Sequence, residues 1–251
     1  MATIDFEMLG KSIKASYHNA ATQYRDDDEI EITSEHHRHL KKVLGTFSAS
    51  FGCPITVLDA GCGTGRYFYC LKKVESLVGI DISEAMLEIA QNPVRQKEIS
   101  AKKIQLKCEN IHFASFAPGS FDFIYSLGMF GHGCPVTVDI CNQFHDWLAP
   151  GGQLFFDVVD VATLSWSRRI RRKIRAGIHS ILPPRLKTLL DKRVIGVPFF
   201  GLSKKELESL MSASRFSNFS VSAQRCHSPL WRGVHLECSA SRTHCDEGWK
   251  I

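Results

Sequence analysis

The sequence lacks the features that mark membrane proteins, secreted proteins and disulfide-rich proteins. No uncharged apolar run approaches the length of a bilayer-spanning helix, so we expect no transmembrane segment. The first residues lack the basic start and apolar core of a secretory signal, which predicts a cytoplasmic protein. The nine cysteines are odd in number and irregularly spaced, which favours reduced thiols over a disulfide framework.

Metal-ligand spacing is also scarce. The chain contains no Cys-x-x-Cys pair, and its eleven histidines form one compact group, His36-His37-x-His39. That group lies among charged residues at helical spacing, which favours a solvated helix face over a metal site. The sequence therefore predicts no bound metal.

Acidic residues are nearly absent between Leu164 and Arg193, where ten basic residues and one aspartate carry a net charge of +9 and leave −4 for the rest of the chain. Within residues 164–182, apolar side chains recur every four residues opposite Arg168, Arg172 and Arg175, a pattern typical of a basic amphipathic helix. Three interpretations stay open: a lid with a solvated basic face, a contact with a membrane or lipophilic substrate, or a site for an anionic or nucleic acid substrate.

The apolar pattern divides the chain into a cap, a domain and a tail. Residues 1–50 predict a helical cap, with Phe6, Leu9, Ile13 and Tyr17 forming one apolar stripe. Residues 51–241 predict one α/β domain, with a lid inserted at about 161–200, and residues 242–251 predict a disordered tail.

Short apolar runs alternate with helical patterns through the domain, which predicts a doubly wound, largely parallel sheet. The predicted strands are Ile55–Asp59, Leu77–Asp81, Ile104–Cys108, Phe121–Ser126, Gln153–Val159, Phe219–Arg225 and Gly233–Ala240. The predicted helices are Arg66–Lys73, Glu84–Gln91 with Ser83 as its cap, Val136–Leu148, and a helix to about Ser214 that opens with a capping box at Ser203 and Glu206.

The first strand ends in Asp59-Ala-Gly61-Cys-Gly63-Thr-Gly65, a turn whose bare backbone can approach a nucleoside, opening into a helix N-terminus. Asp81, at the end of the second strand, can accept hydrogen bonds from ribose hydroxyls. The fingerprint of dinucleotide-binding proteins has glycine or alanine at the position of Arg66. Asp59 would repel a diphosphate but attract an ammonium group. No Gly-Lys-Ser/Thr follows, which excludes a P-loop. S-adenosylmethionine has an ammonium group and no phosphate, so the pattern favours this cofactor over a dinucleotide. It also favours cofactor binding over a turn with a purely structural role.

Four segments carry a family resemblance. Val57–Tyr67, Gly79–Ser83, Gly119–Tyr125 and Leu148–Leu154 resemble, in order and spacing, landmarks of the class I S-adenosylmethionine-dependent methyltransferases of the small-molecule type. The resemblance covers about residues 50–240. It implies a Rossmann-like sheet of seven strands with the last strand antiparallel, and S-adenosylmethionine as the cofactor.

The resemblance also implies a set of cofactor-binding residues. The glycine turn would hold the methionine end, Asp81 the ribose and Ile82 the adenine. Glu109 stands where the family often has aspartate, and its neighbour Asn110 could serve instead. The full set is Tyr17, Tyr24, Asp59, Gly61, Cys62, Gly63, Asp81, Ile82, Glu109, Asn110, Leu127 and Met129.

Two features bear on catalysis. His132, just past the fourth strand, is the candidate general base, with a hydrogen bond to its own loop as the other interpretation. Tyr17 and Tyr24 resemble a tyrosine pair that covers the cofactor in small-molecule members, although core aromatics would give the same pattern.

The expected function is methylation of oxygen or nitrogen on a small, lipophilic or natural-product-like molecule. Motifs of DNA base methylation are missing after the fourth strand, so a nucleic acid partner is not expected. The alternatives are a protein of this fold that does not methylate, such as a cyclase or binding module, and an RNA methyltransferase that uses the basic helix.

Overall fold

The computed structural model describes residues 5–131, 133–163, 199–230 and 232–243. Three sequence predictions therefore lie outside the described residues: the role of His132, the basic helix at 164–182 and the disordered tail, apart from its first two residues. No helix within the described ranges is both long and apolar enough to cross a membrane.

The strands of the described residues form one sheet in the order β3-β2-β1-β4-β5-β7-β6. β7 runs antiparallel to both of its neighbours, and the other pairs are parallel. This confirms the predicted seven-stranded, doubly wound sheet with an antiparallel last strand. The strands are β1 (Ile55–Ala60), β2 (Val74–Asp81), β3 (Lys103–Cys108), β4 (Phe121–Ser126), β5 (Leu148–Val159), β6 (Asn218–His227) and β7 (Arg232–Ser241).

Helices cover both faces of the sheet. In the described ranges they are α1 (Phe6–Glu31), α2 (Glu35–Ser50), α3 (Glu84–Ala90), α4 (Val138–Trp147) and α5 (Lys204–Ser212). Ser83 caps α3 as predicted, and Ser203 and Glu206 form the predicted capping box at α5. Each cap satisfies backbone N–H groups that have no partner within the helix.

The apolar core has two layers, one on each face of the sheet. α4 and α5 pack on one face, where Phe144 and Leu207 meet Ile124 and Phe156. α2 and α3 pack on the other face, where Leu40 and Leu44 join the buried side of β1. The regular alternation of buried strands and amphipathic helices explains why this part of the fold follows from the sequence.

The helix predicted at Arg66–Lys73 is wrong. This segment contains only a short 3-10 helix at Phe68–Cys70, and its three residues are all buried. A surface α-helix needs a solvated polar face, which this segment does not have. Lys73 then adopts a left-handed φ of 53°, and the chain enters β2.

The solvated face predicted for the histidines of α2 is also wrong. His36 and His37 are only 7% and 1% exposed, because they lie on the side of α2 that packs toward the sheet. Nε2 of His37 lies 2.6 Å from the Tyr69 hydroxyl. Burial lowers the pKa of His36 to about 4 and that of His37 to about 3, so both imidazoles are neutral at physiological pH.

Candidate functional site

A cavity opens at the carboxyl ends of the parallel strands, between the glycine turn and α1. It lies where the strand order reverses between β1 and β4, the usual ligand position in an open α/β sheet. The wall includes eleven of the twelve predicted cofactor residues: Tyr17, Tyr24, Gly61, Cys62, Gly63, Asp81, Ile82, Glu109, Asn110, Leu127 and Met129.

The glycine turn requires its glycines for different reasons. Gly61 has a φ of +80°, and a Cβ atom there would lie 2.7 Å from Sδ of Met129. Gly63 has a φ of +52°, but a Cβ atom there would meet nothing within 4 Å. Gly61 is thus packed against the opposite loop, whereas Gly63 leaves a bare backbone beside open space in the cavity.

Asp81 joins the glycine turn to the start of α3. Its Oδ2 accepts a hydrogen bond from the Gly63 N–H at 2.9 Å, and its Oδ1 accepts one from the Ser83 N–H at 2.9 Å. Burial raises the pKa of Asp81, and the backbone donors partly offset that rise. An ionised carboxylate has about four acceptor positions, so two hydrogen bonds leave capacity for a diol in the cavity.

The loop after β3 forms another part of the wall. Nδ2 of Asn110 donates to the Phe6 carbonyl at 3.3 Å, and Oδ1 of Asn110 accepts from the His112 N–H at 3.1 Å. Both ends of this amide are therefore engaged in tying α1 to the loop. Glu109, the neighbour of Asn110 in this loop, also lines the cavity.

Tyr17 and Tyr24 both face the cavity from α1. Their ring centroids are 5.8 Å apart, at an interplanar angle of 57°. Burial raises the pKa of both phenols, so both hydroxyls keep their protons, and the Tyr17 hydroxyl donates a hydrogen bond to that of Tyr24. Phe6, Leu9 and Ile13 of the predicted apolar stripe also line the cavity, so the stripe covers this site.

Asp59 is the exception among the predicted cofactor residues, because it lies outside the cavity wall. Its side chain is 2% exposed, and its Oδ2 accepts a hydrogen bond from the Tyr125 hydroxyl at 2.6 Å. Burial raises the pKa of Asp59 to about 8. This carboxyl is mostly protonated at neutral pH and is hydrogen-bonded to Tyr125 of β4, so the prediction that Asp59 attracts an ammonium group is wrong.

Sequence reasoning missed a buried anchor between α1 and the glycine turn. Asp28 accepts a hydrogen bond from the Thr64 hydroxyl at 2.5 Å and pairs with Nη1 of Arg66 at 3.2 Å. All three residues line the cavity. Asp28 ends a run of three aspartates that resembles a solvated helix end, so its burial has no signal in the local sequence.

His112 and Cys134 were also missed. Both line the cavity, and Nε2 of His112 lies 3.3 Å from Sγ of Cys134. Burial lowers the pKa of His112 to about 4 and raises that of Cys134 to about 12. The pair is therefore an uncharged imidazole beside an uncharged thiol.

Comparison with known proteins agrees with this geometry. Residues 57–152 match the family described as a methyltransferase domain. Over 105 residues the chain is 30% identical to a ubiquinone biosynthesis O-methyltransferase of Coxiella burnetii, an alignment that covers 41% of this chain and 43% of that protein. Over 104 residues it is 31% identical to a demethylmenaquinone methyltransferase of Lactococcus lactis, covering 40% of each chain.

A solved structure extends the match over nearly the whole chain. It is the 1,6-didemethyltoxoflavin-N1-methyltransferase of Burkholderia thailandensis with bound S-adenosylhomocysteine, which superposes with a TM-score of 0.60 over 97% of this chain and 92% of that one, at 16% identity. Residues 57–152 are thus similar in sequence to a methyltransferase domain, and the sheet has the fold of the class I S-adenosylmethionine-dependent methyltransferases.

The sequence matches cover a smaller part of the chain than the structural match. The chain spans less than half the length of the curated relatives it matches, and the family model covers residues 57–152. The structural match extends further, but at 16% identity it shows the fold alone. The residues of α1 that close the cavity are therefore assigned from their own geometry.

Proposed function

We propose that this chain binds S-adenosylmethionine in the cavity beneath α1 and transfers its methyl group to oxygen or nitrogen of a small molecule. One observation carries the proposal: the glycine turn, the Asp81 carboxylate and the Tyr17–Tyr24 pair converge on a single cavity at the carboxyl edge of the sheet. The glycine turn and Asp81 were predicted from local patterns and the tyrosine pair from the family resemblance, and the three lie far apart along the chain.

The residues of the wall suit the parts of this cofactor. Asp81 can accept hydrogen bonds from the ribose hydroxyls, and Ile82 offers an apolar surface for the adenine. The bare backbone at Gly63 leaves room for close approach, since a Cβ atom there would enter open space. Leu127 and Met129 form the wall opposite the turn and can contact the methionine chain.

When bound, the cofactor supplies a methyl group on a positively charged sulfur, and in-line displacement requires mainly alignment and exclusion of water. α1 contributes the exclusion, because its apolar side chains cover the cavity and Asp28 holds it to the glycine turn. The Tyr24 hydroxyl can orient the bound molecules by donating a hydrogen bond, while Tyr17 holds Tyr24 in place. His132 stays a prediction as general base, supported only by its place just after β4.

For the acceptor we propose a lipophilic ring compound with a hydroxyl group. The names of the matched relatives refer to ubiquinone and menaquinone chemistry, and the α1 side of the cavity presents Phe6, Leu9 and Ile13. We also propose that segment 164–182 serves as a substrate gate. Replacing Ile170, Ile174 and Ile178 with serine should then raise KM without weakening cofactor binding, whereas loss of cofactor binding would contradict the gate.

Calorimetry and turnover test the proposal in sequence. We expect S-adenosylmethionine and S-adenosylhomocysteine to bind in the micromolar range and NAD to bind far more weakly. Incubation with radiolabelled S-adenosylmethionine and a panel of prenylated phenols, catechols and amines should then yield a labelled product. Cofactor binding without label transfer to any acceptor would favour a binding module or cyclase, whereas label in added RNA would favour the RNA methyltransferase alternative.

A further inference from the structure

Three buried side chains of the types that can bind metal ions meet between α2 and the β6–β7 pair. One donor atom each from His36, Cys226 and His235 lies within 4.8 Å of the other two, and all three residues are buried. We call these residues the His-Cys-His cluster. None of the three belongs to the wall of the cofactor cavity, as far as the described residues define it.

The strand register shows how distant parts of the sequence form this cluster. Cys226 pairs with Gly233, two residues before His235 on β7, so the thiol and the imidazole lie diagonally on one face of the β6–β7 pair. α2 packs on that same face. His36 lies against His235 with ring centroids 5.8 Å apart, and His39, one turn later, contacts Glu237 at 2.7 Å.

A carboxylate supports the cluster from the adjacent strand. Oδ2 of Asp157 on β5 accepts a hydrogen bond from Nδ1 of His235, which directs the lone pair of the other ring nitrogen away from Asp157. Oδ1 of Asp157 accepts a hydrogen bond from the Gly128 N–H at 2.7 Å. A carboxylate behind the ligating histidine is the usual outer-shell arrangement at zinc sites, where it fixes the tautomer and the orientation of the ring.

We propose that the His-Cys-His cluster binds a divalent transition-metal ion, with zinc the ion that its donors suit best. Two imidazole nitrogens and one sulfur favour zinc, whereas calcium and magnesium require mainly oxygen donors. Zinc–ligand bonds are about 2.0–2.3 Å long, so donors within 4.8 Å of one another need to close in by less than about 1 Å each. Binding displaces the thiol proton and leaves the fourth position to water or another donor.

The ion would hold the N-terminal cap on the sheet. His36 belongs to the first turn of α2, whereas Cys226 and His235 belong to the closing strands, so one ion would join segments at opposite ends of the chain. Through Asp157 the same site reaches Gly128, which lines the cofactor cavity. Metal binding at this cluster would not depend on the proposed methyl transfer.

Metal analysis of the full-length protein, freed of any affinity tag and purified from zinc-supplemented medium, tests the site. We expect about one zinc ion per chain, close to zero in His36→Ala and Cys226→Ser, and the wild-type content in His18→Ala and Cys53→Ser, whose residues are exposed. Chelation should lower the Tm of the wild-type protein by several degrees and leave that of the two cluster variants unchanged. Wild-type protein without zinc, or cluster variants with full zinc, would overturn the proposal.

Cobalt replacement gives a readout that does not depend on the variants folding. Adding Co²⁺ to the chelated wild-type protein should produce tetrahedral d–d bands in the visible range and a thiolate-to-cobalt charge-transfer band in the near ultraviolet. The charge-transfer band should be lost in Cys226→Ser and kept in Cys53→Ser. A wild-type spectrum with no thiolate band would overturn the site even if every cluster variant failed to fold.

Discussion

The carboxylate of Asp28 accepts a 2.5 Å hydrogen bond from the hydroxyl of Thr64 and thereby joins the N-terminal cap to the glycine turn. Arg66 of the same turn pairs with the other oxygen of this carboxylate. The segment that forms one wall of the cavity is thus attached directly to the helix that covers it. A buried polar contact therefore holds the turn and α1 together at the cavity.

Removing this carboxylate should loosen both the cap and the cofactor site. Asp28 is 1% exposed, and in Asp28→Ala the Thr64 hydroxyl and the Arg66 guanidinium lose their buried acceptor. We expect a loss of about 1–3 kcal/mol in the free energy of unfolding, together with weaker S-adenosylmethionine binding. Urea unfolding and calorimetry measure the two effects. Asp26→Ala, on an exposed position of α1, is the matched control and should behave as wild type.

Replacing Gly61 or Gly63 with alanine should distinguish the glycine that packing requires from the glycine that cofactor binding requires. Gly61→Ala places a Cβ atom 2.7 Å from Sδ of Met129 at a φ of +80°, so we expect a large fall in Tm. Gly63→Ala adds its methyl group beside open space, so we expect a smaller fall in Tm but a clear loss of cofactor affinity. Thermal unfolding with and without S-adenosylhomocysteine checks both variants. Equal destabilisation would mean that the Met129 contact is unimportant.

Asp81→Ala should weaken S-adenosylmethionine binding by about 1.5–3 kcal/mol, or roughly 10- to 100-fold in Kd, because the ribose hydroxyls lose a charged acceptor. Part of the loss would come from the Gly63 N–H, which Asp81 also holds in place. Glu88→Gln removes a carboxylate from an exposed position of α3 and should leave the affinity unchanged. Unchanged calorimetric affinity in Asp81→Ala would remove this residue from the site.

The buried carboxyl of Asp59 predicts a specific pH dependence. In the folded protein its pKa is raised to about 8, whereas in the unfolded chain it ionises near its ordinary value of about 4. Between these values the folded state binds the proton more tightly, so this group lowers stability as the pH rises from about 4 to 8. Asp59→Asn removes this contribution. Its Tm relative to wild type should therefore increase through the window and level off above it.

A variant of the neighbouring phenol tests the assignment of that window. The Tyr125 hydroxyl donates to Asp59 and lowers the pKa of its carboxyl, opposing part of the effect of burial. In Tyr125→Phe the Asp59 pKa should rise further, so the fall in stability should extend to higher pH. If the Asp59→Asn and wild-type Tm values instead run parallel from pH 4 to 8, Asp59 does not hold a proton in the folded state.

The local sequence patterns predicted the alternating strands and helices, the glycine turn and the capping box at Ser203, and the family resemblance implied the antiparallel last strand and eleven residues of the cavity wall. Periodic burial, glycine at positions of positive φ and side-chain caps act over a few neighbouring residues, so a short window of sequence is enough to detect them. Asp81 belongs to this group, because its place at the end of β2 follows from the strand pattern.

Tertiary structure decided the rest. The helix expected after the glycine turn is a short 3-10 segment, because every side chain of Phe68–Cys70 is buried when α2 packs on it. Packing also changed the role of Asp59, predicted as a ligand contact, and that of His36, predicted on a solvated face, and it buried Asp28, for which the sequence made no prediction. Their burial depends on partners such as Tyr125, Thr64 and His235, each more than thirty residues away along the chain. Desolvation depends on what covers a group in three dimensions, and local sequence does not specify those neighbours.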